Sequence, residues 1–172
     1  MNEILIRQEI GEDIATLYNL IKKAFETAKV KDGDEQDFAE NLRRSENCIP
    51  ELALIAEKGG KLIGQVMFTK TYITQTNGER FECLMLAPIS VLLEYRNQGV
   101  GATLIKEGFK RAKLLGYKAI LLCGDPAYYG RFGFKPISHW GITHQTIPEP
   151  YVMGYELIDN ALKEIKGIAR VE

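Results

Sequence analysis

Apolar positions in the first quarter of the chain change from strand spacing to helical spacing. Residues 4–10 alternate between apolar and polar side chains enough to predict a strand. After Gly11 the apolar residues recur at steps of three and four, which predicts an amphipathic helix. A shorter pattern of the same kind in residues 34–44 predicts a second helix. The positions that form the apolar face of the first helix are Ile14, Leu17, Tyr18, Ile21, Ala24, Phe25 and Ala28.

The middle of the chain carries strand signals separated by turn dipeptides. Residues 52–56 and 62–73 flank the turn Lys58-Gly59-Gly60-Lys61, which is the pattern of a β-hairpin. Asn77-Gly78 is a second turn dipeptide and leads into residues 81–93. The sequence therefore predicts three antiparallel strands that follow one another in a meander.

The second half of the chain predicts a strand, a helix and a further strand around a glycine turn. A helical pattern follows Gly101 and stops at Gly116, a residue type common just after a helix end. Residues 119–123 are wholly apolar, as expected for a strand buried on both faces. This order predicts a βαβ unit. Beyond it we expect a short helix near residues 125–129, which Asp125 and Pro126 would cap, then a loop containing Trp140, a strand over 151–157 and a charged helical turn ending at Gly167.

Composition narrows the class of protein. With 172 residues, 45% apolar and 26% charged, and no linker between the patterns, the chain predicts a single soluble domain over residues 1–172. A net charge of −1 argues against nucleic acid as a partner. Three widely spaced cysteines favour a reducing compartment. Because neither a leader sequence nor a long apolar segment is evident, we expect a cytoplasmic protein without a membrane partner.

The clearest chemical signal is the pair Gly99 and Gly101 immediately before a helix. Glycines let the backbone approach a ligand, and the first turn of a helix presents unpaired N–H groups at the positive end of the dipole. Such a turn can hold a diphosphate, although a glycine turn that only starts a helix has the same pattern. No Gly-Lys-Ser or Gly-Lys-Thr follows, which excludes a P-loop, and an incomplete Gly-x-Gly-x-x-Gly weakens a dinucleotide site.

These residues resemble the signature Gln/Arg-x-x-Gly-x-Gly/Ala of the Gcn5-related N-acetyltransferase (GNAT) superfamily. Arg96-Asn97-Gln98-Gly99-Val100-Gly101 matches that signature. Residues 127–134, Ala-Tyr-Tyr-Gly-Arg-Phe-Gly-Phe, look like the family's Phe-Tyr-x-x-x-Gly-Phe segment, and residues 124–134 are similar to a subgroup of bacterial predicted acetyltransferases. Two motifs in the family's order form a more specific signal than either alone.

The resemblance implies a fold and a cofactor. The implied fold is α/β: a mixed, mostly antiparallel sheet of about seven strands, splayed at its centre beyond Pro88, with helices on both faces. Acetyl-CoA would be the co-substrate, with no metal. Backbone N–H groups of residues 98–102 would hold the diphosphate, and residues 89–91 would pair with the pantetheine arm and the acetyl carbonyl. The implied cofactor-binding residues are Ile89, Ser90, Val91, Arg96, Asn97, Gln98, Gly99, Val100, Gly101 and Ala102.

Candidate catalytic residues follow from the same resemblance and from residue type. Tyr129 aligns with the tyrosine that protonates the departing thiolate in many family members, and a phenol is protonated at pH 7. Packing within an aromatic cluster is the alternative for Tyr129 and for its neighbour Tyr128. Glu82 is our first candidate for the base that accepts the amine proton, and a water chain is an alternative. The other candidate bases are Glu94, His139 and His144.

Together these patterns predict an N-acetyltransferase that moves an acetyl group from acetyl-CoA to a primary amine by direct attack in a ternary complex. The acceptor would be an amine on a small molecule or a peptide. Two other hypotheses use the same glycine turn to bind a diphosphate: a non-catalytic module that binds acyl-CoA, and a nucleotide-binding α/β domain. A homodimer formed through the C-terminal strand is a further hypothesis.

Overall fold

A computed structural model describes residues 3–28 and 31–171 of the chain. The described helices are α1 (Ile14–Phe25), α2 (Glu35–Arg44), α3 (Val100–Leu114) and α4 (Pro126–Tyr129). The described strands are β1 (Ile4–Gln8), β2 (Ala53–Lys58), β3 (Lys61–Gln75), β4 (Arg80–Val91), β5 (Ala119–Cys123), β6 (Lys135–Pro136), β7 (Ile142–Thr143), β8 (Val152–Glu156) and β9 (Gly167–Ala169).

Backbone contacts group the chain into two compact units. Unit 1 comprises Met1–Thr69 and Ala87–Arg111, and unit 2 comprises Lys70–Leu86 and Ala112–Glu172. Three elements, β3, β4 and α3, contribute a segment to each unit. That residues 1–172 form a single domain stays a prediction.

Unit 1 contains the predicted hairpin and the first two helices. β2 pairs antiparallel with β1 on one side and with β3 on the other. Side chains of α1 and α2 share a buried cluster that includes Leu20, Ile21 and Ala39. α3 lies very close to β3, since a Cβ added at Gly108 would be 2.1 Å from the ring of Phe68. Glycine at this position therefore sets how near the helix comes to the strand.

Unit 2 contains the second strand of the βαβ pattern. β4 pairs in parallel with β5 through Leu84↔Ile120 and Met85↔Leu121, as the sequence predicts. β5 pairs antiparallel with β8, which in turn pairs with β6. β9 pairs antiparallel with β3 and parallel with β7. A buried apolar cluster that includes Leu121, Trp140 and Val152 fills this unit.

The predicted end of α3 is confirmed in detail. Gly116 has a left-handed φ of 92°, and its N–H donates to the carbonyl of Lys113 at 3.0 Å. The N–H of Tyr117 donates to the carbonyl of Ala112 at 3.1 Å. These two bonds form a Schellman motif, which satisfies carbonyls that the helix end would otherwise leave unpaired.

The structure confirms the predicted fold class and corrects its details. The sheet is mixed and mostly antiparallel, and helices accompany it. Within residues 3–28 and 31–171 it has nine strands where about seven were expected, because β6, β7 and β9 are only two or three residues long and too short to show a period of two. Instead of the predicted helical turn ending at Gly167, turns lead into β9. No helix in the described part of the chain is both long and apolar enough to cross a bilayer.

Candidate active site

The residues that join β4 to α3 in unit 1 form a loop with two left-handed positions. We call residues 96–102, which include the first residues of α3, the glycine loop. Asn97 has φ 62° and Gly99 has φ 83°. Asparagine tolerates this conformation better than most residues, and glycine adopts it without strain. A Cβ added at Gly99 would have no atom within 4 Å, so the space beside this backbone is open.

The backbone N–H groups in the first turn of α3 have no carbonyl partner within the helix. The first hydrogen bond of the helix runs from the Thr103 N–H to the Gly99 carbonyl at 2.9 Å, and the Thr103 hydroxyl donates to the same carbonyl at 2.7 Å. The N–H groups of Val100, Gly101 and Ala102 precede this bond and, as in the first turn of any helix, have no partner within it. Beside the positive end of the helix dipole, these donors suit an anion.

The side chains of two loop residues bond to neighbouring carbonyls. The Arg96 Nε donates to the Val91 carbonyl at 3.0 Å, and its two terminal nitrogens bond to the Thr27 hydroxyl at 2.8 Å and to the Ala24 carbonyl at 2.7 Å. The Gln98 Nε2 donates to the Glu94 carbonyl at 3.0 Å. Both side chains therefore hold the loop to the rest of unit 1.

The end of β4, over residues 89–91, is held by side-chain contacts as well as by its neighbours. Ser90 is buried, and its hydroxyl accepts a hydrogen bond from the buried Gln65 Nε2 at 3.0 Å. Ile89 and Val91 are half-buried. Just beyond the strand, the Leu92 N–H donates to the Ile63 carbonyl at 2.9 Å. These hydrogen bonds therefore restrict movement of the backbone of residues 89–91.

In unit 2, Tyr129 is the last residue of α4, and the predicted cap of that helix is confirmed. The Asp125 carboxylate accepts a hydrogen bond from the Ala127 N–H at 3.0 Å, and Pro126 occupies the first helical position. The N–H groups of Tyr128 and Tyr129 both donate to the Asp125 carbonyl. Asp125 thus fixes the short helix that carries both tyrosines.

The ring of Tyr129 is held by aromatic neighbours and by a glycine. It makes edge contacts with Tyr128, at 4.9 Å between ring centroids, and with Phe134, at 6.0 Å. A Cβ added at Gly124 would be only 2.5 Å from the Tyr129 Cε2. The pKa of Tyr129 is raised to about 12. Burial is the largest cause, and the nearby Tyr128 and Asp125 add to it. The phenol is therefore protonated across the neutral pH range, as a proton donor requires.

The candidate bases lie in different settings. Glu82 is exposed on β4 in unit 2, next to the buried Cys83. Glu94 is exposed in the short 3-10 turn before the glycine loop. The exposed His139 has its ring edge-on to Trp140, at 5.0 Å between centroids. Each of these three side chains is accessible to water.

His144 is disfavoured as a base by its own hydrogen bonds. Its Nδ1 accepts the N–H groups of Thr146 at 3.2 Å and of Ile147 at 3.0 Å. When the ring is neutral, its proton is therefore on Nε2. The lone pair on Nδ1, which would have to accept the amine proton, already accepts these two N–H groups. His144 organises the turn that follows it.

The structure shows the burial of two residues of unit 2, Cys123 and Trp140. The prediction that residues 119–123 are buried on both faces is wrong for Cys123, which is exposed because β5 ends there. Trp140 is 9% exposed and belongs to the apolar cluster, next to Gly154. The tryptophan therefore anchors the core of unit 2.

Three acidic side chains around the start of α2 bring carboxylate oxygens within 4.8 Å of one another: Asp32, Asp34 and Glu35. The Glu35 carboxylate accepts hydrogen bonds from the N–H groups of Asp32 and Gly33. This carboxylate therefore completes the turn that leads into the helix.

Three residues that hold these segments were not predicted from the sequence: Thr27, Gln65 and Gly124. One signal for Gln65 was available, because a single amide within the apolar run of β3 needs a buried partner. Gly124 directly follows a strand, where glycine often marks a close approach of another group. Nothing in the local pattern around Thr27 indicates a bond to a residue so distant in sequence.

Substituting Gly124 by alanine should lower turnover about tenfold by displacing the Tyr129 ring. The new Cβ would overlap an atom of a packed aromatic ring, so the tyrosine must move. Gly130→Ala is the matched control, since Gly130 has φ −57° and no atom within 4 Å of the added Cβ. Steady-state kinetics on both variants check this prediction. Equal turnover of Gly124→Ala and wild type would contradict it.

Known proteins are similar to this chain in sequence and in structure. A family model described as an acetyltransferase (GNAT) domain matches residues 6–137. YhbS of Escherichia coli K12, named an uncharacterised N-acetyltransferase, is 31% identical over 167 residues, which cover 96% of this chain and 94% of YhbS. YjhQ of the same organism, named likewise, is 36% identical over 106 residues, 60% of this chain and 57% of YjhQ.

Two crystal structures resemble the whole chain. That of YhbS from Escherichia coli, solved in complex with CoA, has a TM-score of 0.88 and 29% identity, and the match covers 100% of this chain and 91% of that one. A GNAT family acetyltransferase from Brucella melitensis, in complex with acetyl-CoA, has a TM-score of 0.81 and 25% identity, covering 100% and 97%.

Proposed function

This chain belongs to the GNAT acetyltransferases, and we propose that it transfers an acetyl group from acetyl-CoA to a primary amine by direct attack in a ternary complex. The observation that carries the proposal is the glycine loop, whose left-handed Gly99 leaves open space beside the first turn of α3. The two similar crystal structures, solved with CoA and with acetyl-CoA, support the choice of ligand.

The glycine loop supplies donors for a diphosphate. Backbone N–H groups of residues 98–102 would bind its oxygens, and the helix dipole adds to the attraction. Because these donors belong to the backbone, they require the loop conformation more than any particular side chain. The main chain of residues 89–91 would hold the pantetheine arm as an added strand, in the manner of other extended ligands at a strand.

The transfer itself needs one proton removed and one supplied. The neutral amine attacks the thioester carbonyl carbon and forms a tetrahedral intermediate, whose positively charged nitrogen loses one proton. Collapse of that intermediate breaks the carbon–sulfur bond and leaves a thiolate, which takes a proton. We assign this proton to the Tyr129 hydroxyl, because burial keeps the phenol neutral, and assign removal of the amine proton to Glu82, directly or through water.

The acceptor is an amine on a small molecule or a peptide. The near-neutral net charge of −1 gives no general attraction for a strongly basic peptide. A bacterial cytoplasm fits the three free cysteines and the bacterial origin of the relatives named above. A homodimer through the C-terminal strand is part of the same proposal.

Isothermal titration calorimetry and a transfer assay together test this function. We expect CoA and acetyl-CoA to bind and ATP not to bind. We also expect mass spectrometry to detect an acetylated product in a panel of primary amines incubated with acetyl-CoA. Binding of ATP alone would favour the nucleotide-binding hypothesis. Binding of CoA without transfer to any amine in the panel would favour the non-catalytic module.

A further inference from the structure

The Arg96 side chain lies at the centre of a hydrogen-bond network that joins the last turn of α1 to the end of β4. Its guanidinium donates to the Val91 carbonyl at 3.0 Å, the Thr27 hydroxyl at 2.8 Å and the Ala24 carbonyl at 2.7 Å. The Thr27 hydroxyl in turn donates to the Ala24 carbonyl at 3.1 Å. Of the three acceptors, Ala24 therefore belongs to the last turn of α1, Thr27 to the turn that follows it, and Val91 to a strand.

Each bond in this network has a physical reason. A carbonyl in the last turn of a helix has no partner within the helix, and a cation there is favoured by the negative end of the dipole. Ala24 is 4% exposed, so its carbonyl lies where water has little access and a direct donor matters. A planar guanidinium can reach several acceptors at once, whereas an ammonium cannot match its fixed geometry.

Arg96 lies at a point in the chain where its hydrogen bonds can determine the position of the glycine loop. Val91 is the last residue of β4, and Arg96 itself begins the glycine loop. Holding the Val91 carbonyl and the end of α1 with one side chain therefore fixes where the loop starts. If the backbone were displaced at residue 96, the N–H donors of residues 98–102 would move with it.

We propose that Arg96 is a positioning residue for coenzyme A binding, which acts through the end of α1 and the end of β4. It is not a ligand of the phosphates. This inference rests on the proposed coenzyme A site and assigns the signature arginine a role distinct from the backbone donors beside it.

Calorimetry with CoA tests the inference without knowledge of the acceptor. Arg96→Gln should raise the Kd about tenfold, because the three bonds cannot all be kept. Arg96→Lys should restore little of the affinity. Thr27→Val keeps the shape of the threonine and removes its hydroxyl, and it should raise the Kd about threefold. The Arg96→Gln, Thr27→Val double variant should bind no more weakly than Arg96→Gln alone, because both changes break the same network.

Arg111→Gln is the matched control. Arg111 pairs with Glu107 on the same helix, at 3.1 Å, and removing its charge changes the net charge of the protein by the same amount as Arg96→Gln. Its Kd for CoA should equal that of the wild type. Circular dichroism melting sets a titration temperature at which every variant is folded, and if Arg96→Gln does not fold, Thr27→Val alone carries the test.

The opposite pattern would overturn the inference. If Arg96→Lys bound CoA as well as wild type and Thr27→Val did so too, Arg96 would be a direct phosphate ligand or a bystander. An unchanged Kd for Arg96→Gln would also refute it, while leaving the proposed function intact. If the wild type itself failed to bind CoA, the proposed function would fail, and this inference with it.

Discussion

Replacing Tyr129 with phenylalanine should lower kcat about hundredfold and leave the Kd for CoA unchanged. Phenylalanine keeps the ring that packs against Tyr128, Phe134 and the Gly124 backbone, and it removes only the hydroxyl. Without the hydroxyl, the thiolate must leave without a positioned proton donor. Turnover with an accepted amine, together with calorimetry for CoA, measures the two quantities separately.

The pH dependence of wild type gives an independent check on Tyr129. Burial raises the pKa of this phenol to about 12, so the proton that it donates is still present where an ordinary tyrosine is half ionised, near pH 10. The contribution of Tyr129 should therefore persist to pH 10 and disappear only as the pH rises through about 12. A kcat for Tyr129→Phe within twofold of wild type would contradict the assignment and favour a packing role.

Introducing aspartate at Gly99 should weaken CoA binding about hundredfold, because the new carboxylate would repel the phosphates at the site where backbone donors attract them. The space beside Gly99 is open, so the side chain can be accommodated. Aspartate also tolerates the left-handed φ of 83° better than most residues. The expected loss therefore comes from charge rather than from misfolding, and calorimetry with CoA measures it.

Asparagine at the same position provides the control for shape. Gly99→Asn adds a side chain of nearly the same size and backbone preference without a charge. Its Kd should lie much closer to that of the wild type than the Kd of Gly99→Asp does. Equal losses in the two variants would show that bulk, and not charge, acts at this position, and would count against a diphosphate beside the glycine loop.

Long periodic patterns made most of the fold predictable from the sequence. The helical spacing after Gly11 and the turn pair Gly59-Gly60 correspond to α1 and the β2–β3 hairpin. The left-handed Gly116 also ends α3 as expected. The shortest strands were not predicted, because two or three residues cannot show a period and depend on tertiary pairing alone.

The candidate site was predictable where chemistry follows from a local motif. The glycine loop and the Asp125 cap are both carried by neighbouring residues, so the pattern alone indicated them. The contacts of Arg96 with Ala24 and Thr27 join residues about 70 positions apart, which no local pattern reveals. Burial of a polar or thiol side chain was equally hard to foresee, because it depends on where a strand stops.

The exposed thiol at the end of β5 affects how the reaction can be followed. Aromatic disulfides count released coenzyme by reacting with its sulfur, and they would also react with Cys123, while the buried Cys83 would be protected. Desolvation of its sulfur raises the pKa of Cys123, so its thiolate fraction is small and its labelling is slow. A colorimetric trace would then drift upward even without an acceptor, and a serine in place of Cys123 would remove its share of that drift and leave the share of the half-buried Cys48.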